Sequence, residues 1–161
     1  MTLGTYTGAT NSKGQPHGHG TMAYAAGDTY TGELQDVLIH KQGTVTHPDG
    51  GTYTGEWHNG KRQGHGTFNY SNGTTYSGEW HNGKRQGHGT MTYLYGEKYT
   101  GEWHKGYENG LGIWTYADGV KFFGIWSNGK AHGPGIYLCA DGTSLSGEWV
   151  KITLVFQSTA K

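Results

Sequence analysis

Histidine is the residue type in this sequence that most readily suggests chemistry, since the chain has ten histidines beside a single cysteine, Cys139. Imidazole and thiolate are common zinc ligands, and histidine is a frequent general acid or base. His58, His81 and His104 recur at a constant spacing of twenty-three positions. If this spacing corresponds to two strands of a sheet, neighbouring histidines lie about 9–10 Å apart, too far to share a metal ion. We therefore predict columns of surface histidines with no metal or other cofactor, and a site formed by His132 and Cys139 across a dimer is the alternative.

Glutamates recur at the same spacing, at Glu56, Glu79 and Glu102. Paired carboxylates act as acid and base when they converge in a pocket, whereas equivalent positions in successive copies of a repeat form an outward-facing ridge. The sequence offers no recognisable pair of nucleophile and base. Its Gly-His-Gly motifs are not phosphate-binding loops, because no helix is predicted after them. We predict that the protein is not an enzyme.

Basic residues form a third set, Lys61, Arg62, Lys84 and Arg85, with Lys130 in a later copy. We expect them to project from hairpin tips along one edge of a sheet. Such a row could bind anionic phospholipid headgroups or an acidic peptide, but charges on a sheet edge also serve to prevent aggregation. The chain as a whole carries 12 basic and 12 acidic residues, so we predict no binding to nucleic acid.

All of these residues belong to a repeat with a period of twenty-three positions. Residues 53–67 return as residues 76–90 with one change, Thr54 to Ser77. We predict six full copies and one partial copy over residues 1–149, followed by a capping strand or tail over residues 150–161. The aligned first positions are Tyr6, Tyr30, Tyr53, Tyr76, Tyr99, Phe122 and Leu145.

Each copy has the pattern of a β-hairpin. Tyr53, Gly55 and Trp57 alternate with polar residues, as on a half-buried strand. The connection over residues 58–63 contains Asn59-Gly60, the sequence most typical of a tight hairpin turn. Frequent glycine disfavours helix. The sequence therefore predicts an all-β fold, an elongated single-sheet array of thirteen or fourteen antiparallel strands that is curved and forms a groove.

Aromatic residues supply the apolar material, since the chain has 6 Trp, 12 Tyr and 4 Phe. Their rings share one face of the sheet with glycines of neighbouring strands. This face could simply be the core, or it could wall a groove that binds a protein segment, because aromatic side chains anchor interfaces at a small entropic cost. The predicted groove contacts are Trp57, Tyr76, Trp80, Tyr99, Trp103 and Trp114.

The motif Tyr-x-Gly-Glu-Trp-x-x-Gly-Lys-x-x-Gly-x-Gly, which recurs with this period over nearly the whole chain, resembles the MORN repeat (membrane occupation and recognition nexus). The resemblance implies arrays of hairpins and a non-catalytic scaffold that binds a protein partner along its groove, in cytoskeletal or ciliary assemblies. The alternatives are direct binding of anionic phospholipid through the basic edge and binding of carbohydrate by the aromatic repeat.

The expected location is the cytoplasm, with the cytoskeleton or a membrane surface as sites of association. A single cysteine fits a reducing compartment, and no apolar run approaches the length of a membrane span.

Two segments depart from the repeat. In copy two, Asp36-Val37 stands where Asn59-Gly60 stands in copy three, so we expect a different turn whose apolar tip consists of residues 37–39. After Trp149 the residues Ile152, Leu154 and Phe156 would share one face of a strand, forming either a cap or the contact of a homodimer.

Overall fold

The computed structural model describes residues 4–152, which form one open antiparallel sheet of thirteen strands. The order of strands in the sheet is their order along the chain, so each strand pairs with its neighbours in sequence. No helix long and apolar enough to cross a membrane occurs in residues 4–152. The predicted fold class is confirmed. The strands are β1 (Thr5–Thr10), β2 (Pro16–Ala23), β3 (Thr29–Gln35), β4 (Leu38–Thr46), β5 (Thr52–His58), β6 (Lys61–Asn69), β7 (Thr75–His81), β8 (Lys84–Thr92), β9 (Lys98–His104), β10 (Tyr107–Thr115), β11 (Lys121–Ser127), β12 (Lys130–Leu138) and β13 (Ser144–Ile152).

The hairpin turn of each copy is shorter than the sequence suggested. In copy three His58 pairs with Lys61, so only Asn59 and Gly60 lie in the turn. Both have positive φ, 48° and 75°, as the favoured two-residue hairpin turn requires. The Gly60 N–H donates to the carbonyl of Ile39 in the preceding copy at 2.8 Å. Each turn is therefore held by the copy before it.

A bulge follows the turn and gives the repeated glutamate a structural role. The register of β5 and β6 shifts between Gly55 and Trp57, and Gly64 opposite has a φ of 61°. The Glu56 Oε1 atom accepts the N–H of His65 at 2.7 Å. Equivalent bonds join Glu79 to His88 and Glu102 to Leu111, each at 2.8 Å.

The first residue of the repeat forms the centre of the core. Tyr53 is fully buried, and its ring lies across Gly66, where an added Cβ would collide with the hydroxyl. The hydroxyl donates to the carbonyl of Glu56 at 3.2 Å. Burial raises the pKa of Tyr53 to about 12. Glycine inside these strands is thus needed for the close approach of a ring to the neighbouring backbone.

Tryptophan joins successive copies. The Trp80 ring packs edge-on against Tyr53 of the preceding copy and Tyr76 of its own, with centroids 5.2 and 5.1 Å apart. Its Nε1–H donates to the carbonyl of Gly66 at 3.1 Å. Trp103 repeats this arrangement one copy further along. The core is therefore a continuous ladder of rings rather than a set of separate hairpin cores.

The expectation of a different turn in copy two is wrong. Gln35 pairs with Leu38 across a two-residue turn, in which Asp36 and Val37 have φ values of 47° and 76°. This is the geometry of the Asn-Gly turns. The backbone contacts of neighbouring copies override the local sequence there, because Val37 N–H donates to the Pro16 carbonyl at 2.9 Å. Ile39 is buried in the core and is not part of an exposed tip.

At the end of the array, β13 continues past Trp149 and its last residue, Ile152, pairs with Ala131 of β12. The predicted cap that involves Leu154 and Phe156 lies outside the described residues and stays a prediction.

Candidate binding groove on the aromatic face

The aromatic face carries a groove of about 870 Å³ that spans copies two to five. Its floor includes Trp57 and Trp80. Hairpin turns lie at one end of the strands and the connections between copies at the other, so the two sides of the groove differ in composition. The turn side carries Lys61, Lys84 and Lys105, and the connection side carries His47 and Tyr70.

The six predicted groove contacts are mostly core residues. Five of them are only 0–4% exposed, namely Tyr76, Tyr99, Trp80, Trp103 and Trp114. Trp57 is half-buried and packs edge-on against Tyr30 of the preceding copy and Tyr53 of its own, with ring centroids 6.1 and 4.9 Å apart. Of the six predicted contacts, only Trp57 and Trp80 line the groove. Their contact with a partner stays a prediction. The other four lie in the buried core, which is the role that the sequence also allowed.

Arg62 and Arg85 do not project from the hairpin tips, so that part of the predicted basic edge is wrong. The Cζ atom of Arg62 lies 4.3 Å from the ring centroid of Trp80, and its Nη2–H donates to the carbonyl of Gly83 at 3.0 Å. The physical reason is that β6 begins at Lys61, so Arg62 lies opposite Trp57 within the hairpin. If the strand alternation that includes Gly64 is extended back to residue 62, it predicts that Arg62 lies on the aromatic face. The expected six-residue connection over residues 58–63 concealed this signal, because residue 62 was assigned to the connection.

The second arginine repeats the first. Arg85 Cζ lies 4.5 Å from the ring centroid of Trp103, and Nη2–H donates to the Gly106 carbonyl at 2.6 Å. Lys61, Lys84 and Lys130 are exposed beside the turns, as expected.

The lysine and arginine side chains that line the groove give it positive charge. It is lined by Lys61, Arg62, Lys84, Arg85 and Lys105 and by no aspartate or glutamate. All ion pairs found within the described residues involve histidine, so neither arginine forms a direct ion pair with a carboxylate there. Burial lowers the pKa of the Arg62 guanidinium, and nearby Arg85 acts in the same direction. An arginine nevertheless keeps its charge at any physiological pH.

The groove contacts predicted from the sequence did not include the aromatic wall on the connection side. Tyr70 packs on Phe68 with centroids 4.4 Å apart, and Phe68 stacks on His47 at 5.7 Å. His47 is fixed by Asp28, with Nδ1 and Oδ1 2.7 Å apart. The sequence contains a periodic signal for this wall. The position just before each connecting turn is aromatic or histidine in five of six copies, at Tyr24, His47, Tyr70, Tyr93 and Tyr116, and is Cys139 in the sixth.

The opposite face of the sheet is mainly polar. Thr44 and Thr54, and likewise Thr90 and Thr100, join hydroxyls across strands at 2.9 and 3.0 Å. This face has a shallower depression of about 540 Å³, lined by glycine, threonine, serine, glutamine and histidine. Among the described residues, no lysine, arginine, phenylalanine, tyrosine or tryptophan lines this depression.

In copies five and six this second face becomes apolar, which the sequence analysis did not anticipate. Ile113 pairs with Phe123 and Phe123 with Ile136, while Leu111 pairs with Ile125. Leu111 is 66% and Ile136 is 47% exposed. We refer to these five residues as the apolar patch.

The predicted histidine columns are surface features. His58, His81 and His104 are exposed, and His81 Nδ1 lies 3.1 Å from Gln63 Nε2 of the preceding copy. His132 is exposed in β12, while Cys139 is partly buried after that strand. Within the described residues, no group of three His, Cys, Asp or Glu side chains could hold a metal ion.

Comparisons with known proteins agree with this architecture. The family model for the MORN repeat matches residues 12–29, 53–75, 76–93, 99–121 and 122–144. The copy between residues 30 and 52, which lacks the tryptophan, falls between matched segments. No curated protein matches the sequence.

A solved structure with a TM-score above 0.5 has a similar fold. The TCP domain of SAS-4 from Drosophila melanogaster, in complex with a proline-rich motif of Ana2, is 10% identical, with 88% of each chain covered and a TM-score of 0.51. The TCP10c domain of Drosophila melanogaster Sas-4 is 12% identical, with a TM-score of 0.42 over 88% of this chain and 98% of that chain. At these identities the likeness concerns the fold alone.

Proposed function

This chain belongs to the MORN-repeat family, and on that premise we propose that it is a non-catalytic interaction scaffold whose aromatic groove holds an extended segment of a partner protein. The observation that carries the proposal is the groove itself, in which aromatic rings lie beside five cations and two of these, Arg62 and Arg85, are held against tryptophan rings. Aromatic residues and arginine are the side chains most often found at the centre of protein interfaces.

The construction of the sheet favours docking on a face. Every strand from β2 to β12 is paired on both sides, so a partner cannot add a strand beside the groove. A segment must instead lie across the strands and insert side chains. Proline-rich segments bind aromatic-lined grooves in this way because their polyproline II conformation is already extended. The partner of the similar SAS-4 domain is a proline-rich motif, and we propose the same class of partner here.

A peptide-display selection against the full chain tests this function. Selected peptides should lose about tenfold or more in affinity when Tyr107→Ser and Lys84→Ser alter the groove, because both exposed side chains line it. The matched control, Leu94→Ser with Lys98→Ser, removes one apolar and one basic side chain that do not line the groove. The proposal fails if no peptide is selected, or if the control variant loses binding while the groove variant keeps it.

Phospholipid binding is the second candidate, and the exposed Lys61, Lys84 and Lys130 favour it. The two arginines favour a peptide instead, because they lie in a concave groove that a flat bilayer reaches poorly. Carbohydrate binding is the weaker alternative, since stacking on sugars needs exposed ring faces and most rings of the ladder are buried.

For assembly we propose a homodimer in which the apolar patch of one chain covers the apolar patch of a second chain. Ile39 lies in the core, so copy two offers less apolar surface than expected. The patch contains exposed apolar residues, among them Leu111 and Ile136, and apolar residues are typical of the centre of an interface. We also propose a location in cytoplasmic, cytoskeletal or ciliary assemblies, which the family match supports.

A further inference from the structure

The only two arginines of the chain, Arg62 and Arg85, occupy equivalent positions in successive copies and both lie in the groove. Each guanidinium is held by a tryptophan ring beneath it and by one hydrogen bond to a hairpin-turn carbonyl. A guanidinium has five N–H donors, so each arginine keeps donors for a further acceptor. Their positions are fixed before any ligand arrives, which reduces the entropy that binding costs.

Charge identifies what that acceptor is. The groove is lined by five cations and no carboxylate, although the chain as a whole carries equal numbers of acidic and basic residues. A half-buried cation without a counter-charge is unfavourable, and a carboxylate that binds it through paired N–H···O bonds forms one of the strongest polar contacts in proteins. The groove is therefore complementary to an acidic segment.

Spacing identifies the conformation of the segment. Arg62 and Arg85 lie on β6 and β8, two strands apart in the sheet, which corresponds to about 9.6 Å along the array. One turn of a polyproline II helix contains three residues and rises about 9.3 Å. Side chains three residues apart on such a helix therefore face the same way at the distance that separates the two arginines.

Other backbone conformations fit less well. In a β-strand, residues three apart point to opposite sides, and residues two or four apart are separated by about 6.7 or 13 Å. An α-helix repeats a face after seven residues, at about 10.5 Å.

From these three observations we propose that the groove recognises a polyproline II segment with two carboxylates three residues apart, one on Arg62 and one on Arg85. The inference rests on the proposed function and specifies its partner. The equivalent positions in the adjacent copies are Ile39 and Glu108, so the arginines recognise one pair of carboxylates and not a longer acidic run.

A spacing series on the unchanged full chain tests the proposal. Proline-rich peptides of equal length and charge carry two glutamates separated by two, three or four positions, with a glutamine version of the three-position peptide as the neutral control. Fluorescence anisotropy should give at least about tenfold tighter binding for the three-position peptide than for any other. Its affinity should fall steeply between low salt and about 0.5 M salt.

Paired variants locate the contact. Arg62→Gln with Arg85→Gln should remove the preference for three-position spacing, and Arg62→Lys with Arg85→Lys should weaken it, because lysine cannot form the paired bonds. The matched control is Lys98→Gln with Lys121→Gln, which removes the same charge from the second face and should leave the preference unchanged. The spacing series needs no variant, so it decides the question even if an arginine variant fails to fold.

Several outcomes would overturn the inference. Equal affinity for all acidic spacings would mean that the groove senses only net charge. Tighter binding of a helical peptide with glutamates seven positions apart would identify a different partner conformation. Displacement of the peptide by vesicles containing phosphatidylserine, but not by pure phosphatidylcholine vesicles, would identify the groove as a headgroup site.

The two proposals fail in different ways. If displayed peptides bind the groove but carry no paired acidic residues, the inference fails and the proposed function stands. If no peptide binds the groove, both fail.

Discussion

Val37 occupies the left-handed region of backbone conformation, with a φ of 76°, in the turn between β3 and β4. A branched Cβ makes this conformation costly, by about 1–3 kcal/mol. Gly60 has the same φ of about 75° at the equivalent place in copy three, without that cost. Val37 is therefore a locally unfavourable residue that the neighbouring copies hold in position.

We predict that Val37→Gly raises the free energy of unfolding by about 1 kcal/mol, because relief of strain exceeds the added entropy of the unfolded chain. Urea unfolding followed by tryptophan fluorescence measures the change. The reciprocal substitution Gly60→Val should lower stability by a comparable amount. An unchanged or lower stability of Val37→Gly would show that the turn is not strained.

At the scale of the element, each hairpin depends on a bulge that one carboxylate stabilises. Glu79 Oε1 accepts the N–H of His88 at 2.8 Å, across the bulge opposite Gly87. Gly87 has a φ of 64°, and an added Cβ there would meet the Glu79 carboxylate at 2.5 Å. The glutamate and the glycine of the motif are thus two parts of one local structure.

Glu79→Ala should lower the free energy of unfolding by about 1–2 kcal/mol, since a charge-assisted hydrogen bond to the backbone is lost. Glu79→Gln keeps an acceptor and should lose less. Glu148 is the control because it occupies the same repeat position but is exposed on β13, the last strand of the sheet. Chemical denaturation of the three variants gives the comparison, and equal losses for Glu79→Ala and Glu148→Ala would refute the role of the bulge contact.

The whole molecule presents two different faces, and the apolar patch on the second face concerns assembly. Phe123 and Ile125 stand where the preceding copy has Thr100 and Glu102. They are 36% and 38% exposed. The change of composition places the apolar patch in copies five and six, toward one end of the array.

Light scattering over a concentration series should give twice the chain mass of 17.5 kDa. The variant Phe123→Thr with Ile125→Glu introduces the residue types that the preceding copy has at these positions, and its measured mass should be that of the monomer. Leu94→Ser with Tyr95→Asn is the matched control, because these apolar residues are 59% and 80% exposed but lie in a connecting turn. A monomer at every concentration, or a dimer that survives the patch substitutions, would contradict the prediction.

The sequence by itself determined the repeat, the hairpins and the single sheet. The reason is that a constant repeat period, strict alternation and Asn-Gly turns are local signals, and each was repeated several times in register. The same alternation placed Tyr53 and Trp80 on one face. It could not decide how far those rings were covered, because burial depends on contacts between copies.

Only the tertiary structure decided which residues are buried in the core and which line the groove. Tyr76 and Trp103 are buried because the neighbouring copy covers each ring. Arg62 lies over Trp80 because the hairpin turn is only two residues long. The turn of copy two shows the same principle, since Val37 is held in a conformation that its own side chain disfavours. In a repeat protein each copy is the environment of the next, so contacts between copies override local preference and determine which chemistry reaches the surface.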